Sequence, residues 1–298
     1  MRVDLPAYLA ERRRVVDEAL ARFLPPAETS PPTIHEAMRY SVLAGGKRLR
    51  PILVLAGAEV AGGRLDDVLP TACAFELIHT YSLIHDDLPA MDDDDYRRGR
   101  PTSHKVFGEA IAILAGDALL TLAFRLVAET FRDGRLDPAI LPRVLAEITE
   151  AAGTAGMIGG QVVDIQSEGR TVEAAVLEEI HARKTGALIR AAIRTGALLA
   201  GAAPAPLAAL TAYGERLGLA FQIVDDILDV EGSLEALGKT AGSDRRKKKA
   251  TFPDLLGLEA SRARAAGLIA EAKAALAPLG LPAAPLAALA DYIVERKT

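Results

Sequence analysis

The run Thr71-Ala72-Cys73-Ala74-Phe75-Glu76-Leu77-Ile78-His79-Thr80-Tyr81-Ser82-Leu83-Ile84-His85-Asp86-Asp87-Leu88 decides the fold class. It is too long for a strand, and apolar side chains fall nearly all round a helical turn, so it predicts a buried helix. Glu76, His79, Ser82 and Asp86 recur at spacings of three, three and four, which places them in one polar stripe on that helix. Buried polar groups are costly unless they are paired or line a wet cavity. The stripe ends in Asp86-Asp87-Leu88-Pro89-Ala90-Met91-Asp92, where Pro89 bends or ends the helix.

A second run repeats the pattern far along the chain. Phe221-Gln222-Ile223-Val224-Asp225-Asp226-Ile227-Leu228-Asp229 sits in an apolar helix with Gln222, Asp225, Asp226 and Asp229 on one face. Clustered carboxylates repel and shift one another's pKa unless a cation neutralises them. All-oxygen clusters suit Mg²⁺ rather than zinc, and Mg²⁺ is commonly held by one or two carboxylates plus substrate phosphates. Asp92 to Asp95 alone would read as a solvated acidic loop, and Asp225-Asp226 alone as a charge pair. Neither reading explains two clusters on otherwise apolar helices.

The rest of the chain agrees with helices. Leu and Ala dominate an apolar half of the 298 residues, and Trp is absent. Ala and Leu lose little freedom in a helix, so the mixture favours helix over sheet. Pro and Gly punctuate segments with helical spacing, predicting helices near residues 4–22, 34–46, 50–61, 67–88, 107–131, 138–152, 155–167, 172–200, 205–231, 259–277 and 284–296. Ser30 to Thr33 and Thr171 read as capping signals. No linker or repeat divides the chain, so residues 1–298 are expected to form one domain.

Composition also limits the partners. A formal net charge of −5 argues against a general nucleic-acid binder. The uncharged residues 195–213 contain Pro204 and Pro206 and read as helix end, loop and helix start, so no membrane span is expected. Asp117, within an apolar run, reads as a buried structural acid. The single Cys73 excludes an intrachain disulfide, and the first residues lack the apolar core of a signal peptide; a cytoplasmic location is expected.

Basic residues stand near the acidic runs. Lys47 and Arg50 follow Gly45-Gly46 and are three apart, able to face one anion. Arg97, Arg98 and Arg100 follow the first acidic run, while Lys184-Thr185 and Lys239-Thr240 lie further along. Arginine forks fit phosphate oxygens bidentately. Taken singly, each would be a solvated surface cluster. The run Arg245 to Lys249 suggests nucleic acid in isolation and a loop closing over the site in context.

Together these motifs resemble the trans-isoprenyl diphosphate synthases. Tyr81 to Thr102 is similar to that family's first Asp-rich motif, with the longer spacing before Asp92 that marks the bacterial farnesyl-forming style. Gly160-Gln161-Val162-Val163-Asp164, Lys184-Thr185-Gly186, Phe221 to Asp229, and Gly238 to Asp244 with Lys249 to Pro253 resemble the later motifs. Gly45 to Pro51 resembles the basic motif near the start. The likeness spans nearly the whole chain.

The resemblance implies an all-α, single-domain bundle of antiparallel helices around a central cavity, the isoprenoid synthase fold, as a homodimer. It implies a prenyltransferase that joins isopentenyl diphosphate to an allylic diphosphate. Asp86, Asp87, Asp92, Asp225, Asp226 and Asp229 would hold about three Mg²⁺. Arg97, Lys184, Thr185, Gln222 and Lys239 would hold the allylic diphosphate; Lys47, Arg50, His79 and Arg98 would hold isopentenyl diphosphate. Gln161 and Asp164 would line the cavity or support it. Asp86, Asp87, Asp92, Lys184, Asp225 and Lys239 form the catalytic set. Tyr81 lies five residues before Asp86, about 7.5 Å back along the axis at about 1.5 Å per residue. With Ser82 beside it too small to block, its ring is expected to stop growth at the fifteen-carbon farnesyl product. A geranylgeranyl-forming enzyme is the nearest alternative. A terpene cyclase should lack the Lys47-Arg50-His79 set, and a non-catalytic subunit should have lost one Asp cluster.

Overall fold

The computed structural model describes residues 3–170, 172–231 and 250–296. The described chain is helical apart from one two-residue hairpin. The order is α1 (Leu5–Phe23), α2 (Pro32–Val42), α3 (Leu49–Val60), α4 (Leu65–Asp86), the hairpin β1 (Tyr96–Arg97) and β2 (Arg100–Pro101), then α5 (Ser103–Phe107), α6 (Glu109–Glu129), α7 (Leu141–Ala152) and α8 (Met157–Ser167). There follow α9 (Ala174–His181), α10 (Ala187–Leu199), α11 (Pro204–Glu231), α12 (Phe252–Leu256), α13 (Leu258–Leu276) and α14 (Ala284–Glu295).

Helix α4 packs against α3 and α6, α10 against α3 and α11, and α11 against α13. One apolar core runs through them, from Val16 on α1 to Ile293 on α14, with Phe75, Leu77 and Ile78 of α4 fully enclosed. Tyr213 on α11 is buried, and its hydroxyl donates to the Leu286 carbonyl at 2.7 Å, which joins α11 to α14. A buried phenol needs such an acceptor.

The expected helices are present, with informative differences. The helix expected over 107–131 begins at Glu109, because Gly108, at φ of +83°, separates it from a short helix, α5, that was not expected. The stretch expected as one helix over 172–200 is interrupted by a π-helical turn, Ala182–Gly186, which bears Lys184 and Thr185. Such bulges are frequent at functional sites because they redirect side chains. The Ser30 to Thr33 signal does not supply a side-chain cap: Pro31 occupies that position. Thr171 lies outside the described residues. Asp117 is exposed, contrary to expectation, because its side of α6 faces away from α4 and the core. Residues 195–213 form the end of α10, a loop and the start of α11. Helix α6 is long and apolar enough to cross a membrane by length and composition; it packs along α4, with Ile113 and Leu114 exposed.

Candidate active site

The end of α4 and the chain after it build the first acidic group. The Asp92 amide donates to the Asp86 carbonyl at 2.7 Å, and the Asp93 amide to the Leu88 carbonyl at 3.0 Å. This turn folds the acidic run back beside the helix end, so Asp86 and Asp92 become neighbours despite their separation. Asp93 and Asp95 remain exposed, as a solvated loop would be.

Asp86 lines a cavity of about 450 Å³ with Arg50, His79, Tyr81, Ser82, Lys184 and Thr185. Apolar walls come from Met157, Ile158, Val162 and Ile165 of α8, and from Leu83 and Met91. Four segments distant in sequence therefore meet here: the start of α3, α4, α8 and the π turn. The close contact between α8 and that turn depends on Gly160, where a Cβ would lie 2.4 Å from the Lys184 backbone nitrogen. Lys184 donates to Asp164 on α8 at 2.7 Å, and Thr185 donates to Gln222 on α11 at 2.8 Å. The Lys184–Asp164 pair fixes an ammonium at the cavity edge without closing it.

Asp87 does not share that cavity. It is buried, receives the Arg97 Nε at 2.7 Å, and lines a separate pocket with Arg97 and Arg98. Burial raises its carboxyl to about 6, with the Arg97 hydrogen bond and charge opposing. Arg97 and Arg98 are presented by the hairpin, whose turn residues Arg98 and Gly99 both have positive φ, 54° and 73°. That is the backbone of a two-residue primed turn. Arg98 donates to the Gly45 carbonyl and lies over Gly46, where a Cβ would come within 2.7 Å of its guanidinium. The Gly45-Gly46 turn, at φ of +90° and +130°, thus admits the arginine as well as bending the chain.

The basic group near α3 contains a residue that sequence reasoning missed. Arg48 is buried in a left-handed conformation, φ +52°, and points inward. It donates to Glu76 at 2.7 Å, to Asp17 at 2.7 Å and to the Val42 carbonyl at 2.8 Å. Glu76 therefore leaves the expected polar stripe: it anchors Arg48, while His79, Ser82 and Asp86 line the cavity. Lys47 and Arg50 flank this anchored residue. Lys47 lies by a separate apolar groove beside Arg296, not in the cavity of Arg50 and His79. Burial draws the Arg50 guanidinium down to about 10, so it remains a cation at neutral pH. Burial, reinforced by Arg50, Arg98, Arg97 and Arg48, holds His79 well below the usual histidine range and keeps it neutral.

The second acidic group spreads its carboxylates in different directions. Asp225 is paired with Arg296, whose guanidinium also donates to the Phe221 carbonyl at 3.0 Å and lies 4.1 Å from the Phe221 ring centre. Nothing in the spacing of the sequence pointed to this pairing, because Arg296 stands 71 residues from Asp225. Buried Asp226 accepts from the Phe252 amide at 3.0 Å and from Gln222 at 3.3 Å, with His181 at 3.5 Å. Asp229 is also buried on this helix. Lys239 and the run Arg245 to Lys249 lie outside the described residues.

The donor set fits Mg²⁺. The carboxylates supply oxygen alone, and no group of three His, Cys, Asp or Glu forms a ready cage among the described residues. A hard cation completed by water and phosphate oxygens needs no such cage.

Comparison with known proteins identifies the family. The polyprenyl synthetase family model matches residues 31–275. The chain is 48% identical to the farnesyl diphosphate synthase of Escherichia coli (strain K12) over 298 residues, 99% of each chain. It is 47% identical to the geranylgeranyl diphosphate synthase of Cyanophora paradoxa over 296 residues, 98% of this chain and 97% of that one. Among solved structures, the FPP/GFPP synthase of Zymomonas mobilis superposes with a TM-score of 0.87 at 36% identity, over 99% of this chain and 100% of that chain. The all-α architecture is the isoprenoid synthase fold of such neighbours. A family match that covers both carboxylate helices, joined to identity over almost the whole chain, makes this a trans-prenyltransferase of the polyprenyl synthetase family.

Proposed function

We propose that the protein condenses isopentenyl diphosphate with dimethylallyl and geranyl diphosphate to give farnesyl diphosphate and diphosphate. The observation that carries the product is Tyr81, buried at 6% exposure in the wall of the cavity that Asp86 also lines. An allylic diphosphate anchored at Asp86 would send its tail past this ring. A rigid aromatic at that depth stops growth, whereas a geranylgeranyl-forming enzyme needs a longer passage.

Asp86, Asp92, Asp225, Asp226 and Asp229, with Asp87 behind them, would hold about three Mg²⁺. The ions, when bound, neutralise charge that develops on the leaving diphosphate. The protein's own groups do the rest in this reading. Lys184, Thr185, Gln222 and Arg97, with Lys239, orient the allylic diphosphate. Arg50, Arg98 and neutral His79 hold isopentenyl diphosphate, to which an imidazole can still donate one hydrogen bond, and Lys47 would turn towards it from the neighbouring groove. The apolar residues of α8 give the allylic cation a wall that offers no nucleophile. The isopentenyl double bond attacks it, and the proton lost passes to released diphosphate, so no protein nucleophile is required. One domain, a cytoplasmic location and a homodimer complete the proposal; exposed Ile113 and Leu114 on α6 supply an apolar face for a second copy.

The test is incubation with isopentenyl and allylic diphosphates and Mg²⁺, followed by mass spectrometry of dephosphorylated products. Fifteen-carbon product is expected, EDTA should abolish turnover, and Tyr81→Ala should extend products to twenty carbons or more. A parent product of twenty carbons would defeat the farnesyl reading.

A further inference from the structure

Tyr81 is not held by its own polar atom. Its hydroxyl is buried and has no hydrogen-bond partner among the described residues. The position of the ring is therefore set by its packing. One turn further along α4, on the same face, the His85 ring meets it nearly edge-on, with centres 5.7 Å apart and planes at 78°. Both rings line the cavity with Asp86.

His85 is fixed from the opposite side by α6. Its Nε2 lies 3.0 Å from the Ile113 carbonyl oxygen. A carbonyl can only accept, so Nε2 carries the hydrogen of this bond. The imidazole reaches that far because residue 116 has no side chain: a Cβ on Gly116 would sit 2.1 Å from Nε2 and 2.6 Å from Cδ2. Gly116, His85 and Tyr81 thus form a continuous support, from a helix outside the cavity to the residue at its floor.

We propose that His85, seated in the slot at Gly116, is a positioning residue that sets product length by fixing the Tyr81 ring. The inference rests on the reading that the growing chain runs through this cavity. Ordinary helix packing would also seat a histidine against a glycine, but it would not tie that contact to the cavity wall.

The two ends of the support make opposite predictions. His85→Ala empties the slot and lets Tyr81 swing into it, deepening the cavity. The ratio of the next-longer product to the parent's main product should rise about two- to tenfold, the scale of losing one aromatic pair. Gly116→Ala expels the imidazole towards Tyr81 and should lower that ratio in favour of shorter products. In the double variant Gly116→Ala/His85→Ala, the added methyl refills part of the emptied slot, so the ratio should return towards the parent's. Product ratios are read by mass spectrometry under initial-rate conditions, with melting temperatures measured alongside. If Gly116→Ala fails to fold, His85→Ala and the double variant still decide. An unchanged ratio in His85→Ala, with activity or melting temperature lowered alone, would show a structural role and overturn the proposal. So would a double variant whose ratio stays as high as that of His85→Ala. Because each variant is compared with the parent's own product, a parent that makes twenty carbons would defeat the farnesyl reading without obscuring this result.

Discussion

Replacing Arg48 by Met should destabilise the protein by about 3–5 kcal/mol, the cost of leaving one partner of a buried ion pair uncompensated. The side chains of Arg48 and Glu76 are 1% and 2% exposed and lie 2.7 Å apart, so water cannot take over the lost contact. The Val42 carbonyl loses a donor in the same change, whereas half-exposed Asp17 can turn to solvent. At about 2–4 °C per kcal/mol for a large domain, the melting temperature should fall by about 6–20 °C. Urea unfolding at fixed protein concentration measures this directly, since the midpoint should shift with little change in slope. Arg48→Met/Glu76→Leu should recover most of the loss, because an apolar replacement of a buried pair is often neutral. Where Arg48→Met still folds, the Michaelis constant for isopentenyl diphosphate should rise, as Lys47 and Arg50 lose the anchored residue between them. Stability within about 1 kcal/mol of the parent would refute the claim that this pair anchors the turn.

Other outcomes follow from single contacts. His79 is neutral in the fold but titrates near 6.5 when unfolded, so its share of stability is complete above that pH and is lost as pH falls below it. Between pH 7.5 and 5.5 the parent should lose stability that His79→Gln keeps, read from urea midpoints at the two pH values. Lys184→Ala removes the ammonium that Asp164 holds at 2.7 Å; steady-state kinetics should show a higher Michaelis constant for the allylic substrate and little change for isopentenyl diphosphate. Asp225→Asn should lower turnover by about two to three orders of magnitude with the circular dichroism spectrum unchanged, and near-normal turnover would remove Asp225 from the metal set. Leu114→Glu places a charge on the exposed face of α6 and should shift sedimentation towards the monomer; an unchanged sedimentation coefficient would place the self-association surface elsewhere.

Much of this molecule could be read from residue order. Period and composition determined the helices, since an apolar run such as Thr71 to Leu88 can bury its surface and satisfy its backbone in few other ways. The same periodicity identified Asp86 and Asp225 as carboxylates on helices too apolar to carry them without a purpose. Periodicity ranks residues by face, however, and cannot say what stands opposite. Glu76 shared a stripe with His79 and Asp86, yet Arg48 claims it; Asp87 adjoins Asp86, yet it turns to Arg97 in another pocket. Arg296 reaches Asp225 from 71 residues away, and the Gly116 slot for His85 lies 31 residues beyond it in the chain. Only the tertiary structure decided these pairings, because charge pairing and steric fit depend on distances of a few ångströms between segments whose separation along the chain does not encode them.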